Sequence, residues 1–373
     1  MRQISFNHFP IYSVYYCFSC ISFILRVWGI QPNYEPYWIL LFIIMPFVAS
    51  NRMINKQNLL FLFVILIAFT LKYILPFLYV SMSDIAYRAL LIDGKWIIYI
   101  LLVVLWGEFV GYPSIRVLYR AGVFFSKIFI VFSILRFATV GLNIRPGLIG
   151  EANYDGLLIL IPFCFIKSMQ GGFKDYIVFF IGTLCTGSRT GIVCMFVLLT
   201  IIIGETRPKF MCFFIPIVIG FIVAIFTFRG FNSIESIDRY IFYEQAITYF
   251  QNADVNSILF GSFPGTKFDM PVLNSFTWYI SKFEGENNIN GIFPFYFHAT
   301  YIRLAMTWGL PILFFIILCV IFRYFKIKYL PLRLLIIVAL LQSVALSVLT
   351  LVNVSAILFF AIFMAIRASK TVS

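Results

Sequence analysis

Apolar runs long enough to enter a bilayer recur along this chain, separated by short charged or turn-forming segments; "WIIYILLVVLW", "LPILFFIILCVIF" and "AILFFAIFMAI" are three of them. Inside hydrocarbon every backbone N–H and C=O must find a partner within the protein, so only helices and closed barrels cross a membrane. Barrel strands would appear as segments of about ten residues alternating apolar and polar. The runs here are continuous, and 62% of the residues are apolar against 12% charged. The expected fold class is therefore an all-α polytopic membrane protein, a single integral domain over 1–373.

At roughly 20 apolar residues per crossing, the pattern predicts about twelve helices. They fall near 10–30, 36–50, 57–80, 95–112, 116–140, 154–169, 173–186, 190–204, 208–228, 300–322, 331–349 and 352–367. The N-terminal run follows a basic start but no small-residue cleavage pattern ends it, so it reads as an uncleaved first span. With both termini in the cytoplasm, the inner loops collect Arg52, Lys56, Arg116, Arg120, Lys167, Lys174, Arg207, Lys209 and the cluster of "FRYFKIKYLPLR", against the acids Glu108, Asp175 and Glu205. The remaining acids fall on the other side, which is the positive-inside pattern and supports the even count together with the orientation.

The net charge of +13 is spread over these short loops rather than gathered on one domain, which argues for topology and against nucleic acid. The seven cysteines lie in or beside apolar runs, so they read as small buried hydrophobes with no disulfide framework or zinc site.

One outer loop, 229–298, stands apart by its length, and long loops are seldom idle. Its first part, "SIESIDRYIFYEQAITYF", predicts an amphipathic helix near 236–251 with Ser236 as N-cap. Arg239 lies on it with Glu235 and Tyr243 on the same face, four residues to either side.

Several basic residues are expected at the level of this loop. Arg189 sits in the hinge "TGSRTG" between two short spans; a charge at the membrane rim either snorkels to the interface or faces an aqueous cavity or an anionic partner. Lys127, Arg136 and Arg145 are spaced by nine residues, about two and a half turns, so they mark depths rather than one stripe. Arg136 and Arg145 belong to the outer half, and "RPGLIGEANYDG" then turns into a new helix near Asn153. His298 stands at the outer mouth of the tenth span with Arg303 just over one turn inside it. It is the only outer side chain whose ordinary pKa, about 6.5, lies close to neutrality. Several guanidiniums facing one cavity need a multiply charged ligand to join them, and arginine forks suit phosphate oxygens. With no outer Asp-x-Asp pair and no His and acid cluster, the expectation is a metal-independent site without a cofactor.

Four stretches, in order, resemble the O-antigen polymerase and O-antigen ligase superfamily: "RPGLIGEANYDG", "TGSRTGIV", "IDRYIFYEQAI" with "LFGSFPG", and "HATYIRLAMTWGLPILFF". Within them Ala299 stands where that family frequently has Asn, and Pro311 where it has a second Gly. The resemblance implies a glycosyltransferase C-like fold in a bacterial inner membrane, with the loop and the active site facing the periplasm. It implies that Arg189 and Arg239 contact the diphosphate and that His298 serves as base or orients the acceptor, while Arg136, Arg145, Asn153, Tyr243 and Arg303 line the substrate path. Implied partners are undecaprenyl-diphosphate-linked oligosaccharide as donor and acceptor, membrane lipid, a chain-length regulator and a flippase. The expected activity is polymerisation of lipid-linked O-antigen or capsule repeat units with inversion at the anomeric carbon. Transfer of the glycan to lipid A core by a ligase, and transport of lipid-linked saccharide, are the alternatives.

Overall fold

The computed structural model describes residues 6–49, 55–75, 78, 84–141, 145–228, 238–263, 265–268, 280, 291–349 and 352–372. Among them the secondary structure is helical apart from one isolated β-bridge, Phe268 to Ile292. In chain order the helices are α1 (Phe6–Val27), α2 (Glu35–Val48), α3 (Lys56–Phe69, continued by a π turn over Thr70–Ile74), α4 (Asp84–Trp106, continued by a π turn over Gly107–Gly111) and α5 (Ile115–Val140). Next come α6 (Ala152–Phe163), α7 (Phe173–Cys185), α8 (Arg189–Thr206), α9 (Met211–Phe228), α10 (Asp238–Asn252) and α11 (Val255–Phe260). The last four are α12 (Thr300–Trp308), α13 (Leu310–Lys326), α14 (Leu330–Ser343) and α15 (Val352–Val372).

Among the described residues, five helices are long and apolar enough to cross a membrane: α1, α4, α5, α8 and α15. Four shorter apolar helices, α2, α3, α6 and α14, stand among them. Large apolar side chains are exposed along α3 (Leu59, Leu60, Phe63, Val64), α9 (Ile217, Ile219, Val223) and α13 (Phe314, Phe315, Leu318, Phe322). A surface this greasy suits lipid rather than water.

Beyond its first turn helix α6 is apolar on every face, and it sits at the centre, surrounded by α5, α7, α8, α14 and α15. Leu157, Ile159, Leu160, Ile161 and Phe163 are wholly enclosed there. That is the burial expected of a helix without a polar face.

The helices differ from the sequence expectation in three places that matter for the site. The fourth segment begins at Asp84 rather than near 95, which draws Asp93 into the helix. The tenth is two helices, broken at Gly309, whose backbone has φ +87°. Between α14 and α15 the chain leaves the helix from Val344 to at least Leu349, and this break forms the floor of the region described below.

Polar contacts sort the chain turns into two ends. At one, Asn7 donates to the Tyr112 carbonyl, Asn55 and Asn58 donate to Glu108, Tyr119 donates to Asp175 at 2.6 Å, and Arg333 pairs with Glu205 at 2.8 Å. At the other, Arg26 of α1 binds the turn after α5, the turn after α7 meets the end of α14, and the segment after α14 meets the described part of the 229–298 loop.

That loop part has its own core. Phe242 and Ala246 of α10 pack with Phe268, Ile292, Phe293, Tyr296, Phe297, Ile302 and Met306, against Ala89 of α4. The seat of α11 explains the break at Gly309: a Cβ there would stand 2.3 Å from the Leu259 carbonyl oxygen. The positive φ and the close approach both require glycine. Next to it, Ser262 N donates to the Met306 carbonyl at 2.8 Å, and Lys72 donates to the Phe260 carbonyl at 3.0 Å.

Candidate functional site

The hinge "TGSRTG" is built from local hydrogen bonds. Thr186 donates its hydroxyl back to the Thr183 carbonyl at 2.7 Å and accepts from Ser188 N at 3.1 Å, while Gly187 reverses the chain at φ +58°. Ser188 then caps α8, its hydroxyl accepting from Gly191 N at 3.1 Å. Arg189 is the first residue of α8 and half-buried, so a guanidinium and the positive end of a helix dipole share one place. An anion is favoured there by both.

The hinge is joined to the rest of this end by buried polar contacts. Gln342, enclosed near the end of α14, donates its amide to the Thr190 carbonyl at 3.0 Å. Two residues on, the Val344 carbonyl accepts from the Tyr243 hydroxyl of α10 at 2.9 Å. Burial pushes the Tyr243 pKa up to about 12, which keeps it a donor at neutral pH. Further along the same break, Thr300 donates its hydroxyl to the Leu346 carbonyl at 2.8 Å and accepts from Val348 N at 3.0 Å, and Ser347 donates to the Phe297 carbonyl. His298, half-buried, lies between Phe297 and Thr300 with its ring centroid 6.5 Å from that of Phe242. Residues 342–348, the end of α14 and the break after it, thus touch the Arg189 hinge at Thr190, the loop helix at Tyr243 and, through Phe297 and Thr300, the segment that carries His298. Arg239 occupies the first turn of α10; its side chain, with Glu235 and Ser236, lies outside the described residues.

A second basic group lies on the far side of the hinge. Gly156, one turn into α6, packs against Thr186: a Cβ there would meet its side chain at 3.6 Å. The loop leading into α6 is tied down by Asp155, whose two carboxylate oxygens accept from Leu148 N at 2.6 Å and Gly150 N at 3.1 Å. Arg26, near the end of α1, donates to the carbonyls of the same two residues at 3.2 and 3.1 Å. An open cavity of about 280 Å³ results, lined by Arg26, Gln31, Arg145, Glu151 and Asn153. Arg145 is exposed and donates to the Asn153 amide oxygen at 3.4 Å, and the charge of Arg136 is close enough to act on Arg26. The helix expected near Asn153 begins at Ala152, with Glu151 at the capping position and no side-chain cap; Asp155 ties down the turn from within.

Arg303 differs most from its expected setting. It is buried, and its guanidinium binds the equally buried Asp93 of α4 at 2.5 Å. The pair closes a crevice of about 20 Å³ with Thr300, Thr307 and Trp96. An ion pair removed from water in this way is held by its mutual charge, and it locks α12, which follows His298, onto α4.

Four residues that shape this region escape the motif reading: Arg26, Asp93, Asp155 and Gln342. The signal was present for Asp93 and Gln342, which interrupt apolar stretches, where an ionisable or amide group is expensive and seldom idle; Asp155 stands in the turn "RPGLIGEANYDG", where a carboxylate is ordinary. Arg26 carried no such mark, because a basic residue at a helix end is ordinary. Among the described residues no three His, Cys, Asp or Glu side chains gather as a metal would need. Compared with protein-family models, curated proteins and solved structures, the chain matches none.

Proposed function

We propose that the protein is a metal-independent glycosyltransferase of the bacterial inner membrane that joins undecaprenyl-diphosphate-linked oligosaccharide repeat units at the periplasmic face. The observation that carries this reading is that residues 342–348 join the Arg189 hinge, Tyr243 of the loop helix and the segment carrying His298, with a basic cavity at Arg26 and Arg145 on the far side of the hinge. Such a site offers fixed positive charge to a diphosphate and an imidazole nearby.

The chemistry asks little more. A sugar on a diphosphate already has a good leaving group, so the work lies in orienting an acceptor hydroxyl and stabilising charge on the departing diphosphate. The acceptor oxygen attacks the anomeric carbon from the face opposite the diphosphate. The new C–O bond forms as the bond to the diphosphate oxygen breaks, and the configuration inverts. His298 takes the hydroxyl proton, and the electron pair leaves on the diphosphate, held by Arg189 at the α8 N-terminus and by Arg239. Arg145, Asn153 and Arg136 meet the sugar chain or the second diphosphate. Tyr243 positions α10, and Arg303 acts through Asp93 on the placement of His298.

Arg189→Ala in the bacterium tests this. Loss of one transition-state contact of this kind lowers turnover by about a hundred- to a thousandfold. The expected gel of surface polysaccharide shows core carrying a single unit, with the variant present in the membrane in normal amount. A normal ladder of chain lengths contradicts the proposal. Loss of all attached glycan with lipid-linked polymer accumulating would replace polymerase by ligase, and accumulation of inward-facing single units would replace it by a transporter.

A further inference from the structure

The end of the bundle opposite the 342–348 break holds a cavity of about 770 Å³, the roomiest among those described, lined from α3, α4, α13 and α15. Its wall is apolar, with Phe61, Ile100, Phe359, Ile362, Phe363 and Ile366; its rim carries Arg323, Arg367 and Lys370. The single acid of the lining is Glu108, and both of its oxygens are engaged by neutral donors: Asn55 N at 3.0 Å and Asn58 Nδ2 at 2.8 Å. The lining thus sets three cations against one acid. Arg367 lies over the Tyr112 ring at 4.8 Å, and Tyr112 stacks on Phe363. The rim is therefore rich in positive charge above a greasy interior.

We infer that this cavity binds one anionic phospholipid of the leaflet at this end, its phosphate at Arg323, Arg367 and Lys370 and an acyl chain along Phe61, Phe359 and Phe363. Two features select this ligand class. A free phosphate would meet the rim and leave the apolar wall in contact with water, whereas a lipid covers both parts. A zwitterionic headgroup brings its own cation to a rim that already holds three, whereas an anionic one does not. The bound lipid would bridge α3, α13 and α15, which all line the cavity.

The test uses the full-length protein in detergent, with native mass spectrometry against phosphatidylglycerol, phosphatidylcholine and inorganic phosphate. Wild type should retain one phosphatidylglycerol in preference to phosphatidylcholine, and equimolar inorganic phosphate should not displace it. Neutralising all three cations, Arg323→Gln with Arg367→Gln and Lys370→Gln, should weaken retention about a hundredfold, at about fivefold for each charge near a membrane surface. Ile366→Trp, which fills the wall and leaves the charges in place, should also expel the lipid. Lys328→Gln, a basic residue outside the cavity lining, should have no effect. Equal retention of the two lipids, retention unaffected by both the triple and the Ile366→Trp variants, an equal loss in Lys328→Gln, or displacement by inorganic phosphate would each overturn the inference. The readout is independent of glycan transfer.

Discussion

Asp93 and Arg303 pair across 210 positions of sequence and are both buried, so each is the condition for the other's charge. Removing one leaves an uncompensated ion in a dry site. Asp93→Ala should therefore cost about 3–5 kcal/mol, read as a lowered midpoint of thermal unfolding in detergent. Replacing both by apolar residues, Asp93→Leu with Arg303→Met, should recover most of that loss. The same double variant separates a positioning role from a binding one: if Arg303 acts only by holding α12, polymer length is restored along with stability. Asp155 poses a similar test on the other side of the hinge. As an amide it keeps one acceptor and turns an NH2 group toward a backbone N–H, so Asp155→Asn should cost about 1–3 kcal/mol. It should also expose the loop before α6 to proteolysis. These residues mark the limit of a motif reading. Arg189, Arg145 and His298 were legible because a charge or an imidazole stands out in an apolar chain. That Arg303 would be spent on Asp93 was not, because their pairing depends on how α4 and α12 pack, and nothing local in either segment encodes it.

At the scale of elements, the link between the loop and the bundle rests on a few close contacts. Gly309 admits the Leu259 carbonyl at a distance no Cβ tolerates, with backbone in a region other residues avoid. Gly309→Ala should cost about 1–3 kcal/mol from the backbone alone, with more from the displaced carbonyl. Faster hydrogen exchange should be confined to α11 and the last turn of α12. Tyr243→Phe removes one hydrogen bond to the α14 break and should cost about 1 kcal/mol. Its mark should be faster exchange along α10 with the membrane-length helices unchanged. Here the sequence was read well in kind and less well in extent. The 3.6-residue pattern of "DRYIFYEQAITYF" places a helix where α10 stands. The tenth run was continuous in hydropathy, so a helix break imposed by another segment's carbonyl left only a Gly-Leu-Pro triplet as its sign.

For the whole molecule, the apolar runs and short charged turns were sufficient for the class, a helical membrane protein with exposed Leu, Ile and Phe outside; that α6 stands enclosed at the centre was not legible in them, because it depends on how the helices pack. Crossing number and sidedness are properties of the bilayer as well as of the chain, and in our reading they rest on the distribution of Lys and Arg. The two ends differ in chemistry. One gathers a hinge arginine, a histidine and a loop with its own core; the other joins its turns through Glu108, Asp175 and Glu205 around a lipid-sized cavity. The two proposals divide between the ends, glycan transfer at the first and lipid attachment at the second. The most direct measurement is elongation by the purified protein supplied only with lipid-linked repeat units in detergent. Glycan chains should lengthen in steps of one unit with one undecaprenyl diphosphate released per linkage, the new linkage should be inverted, and chelator should have no effect. Arg189→Ala should abolish both elongation and release. A folded wild-type protein that neither lengthens the glycan nor releases the diphosphate would contradict the account.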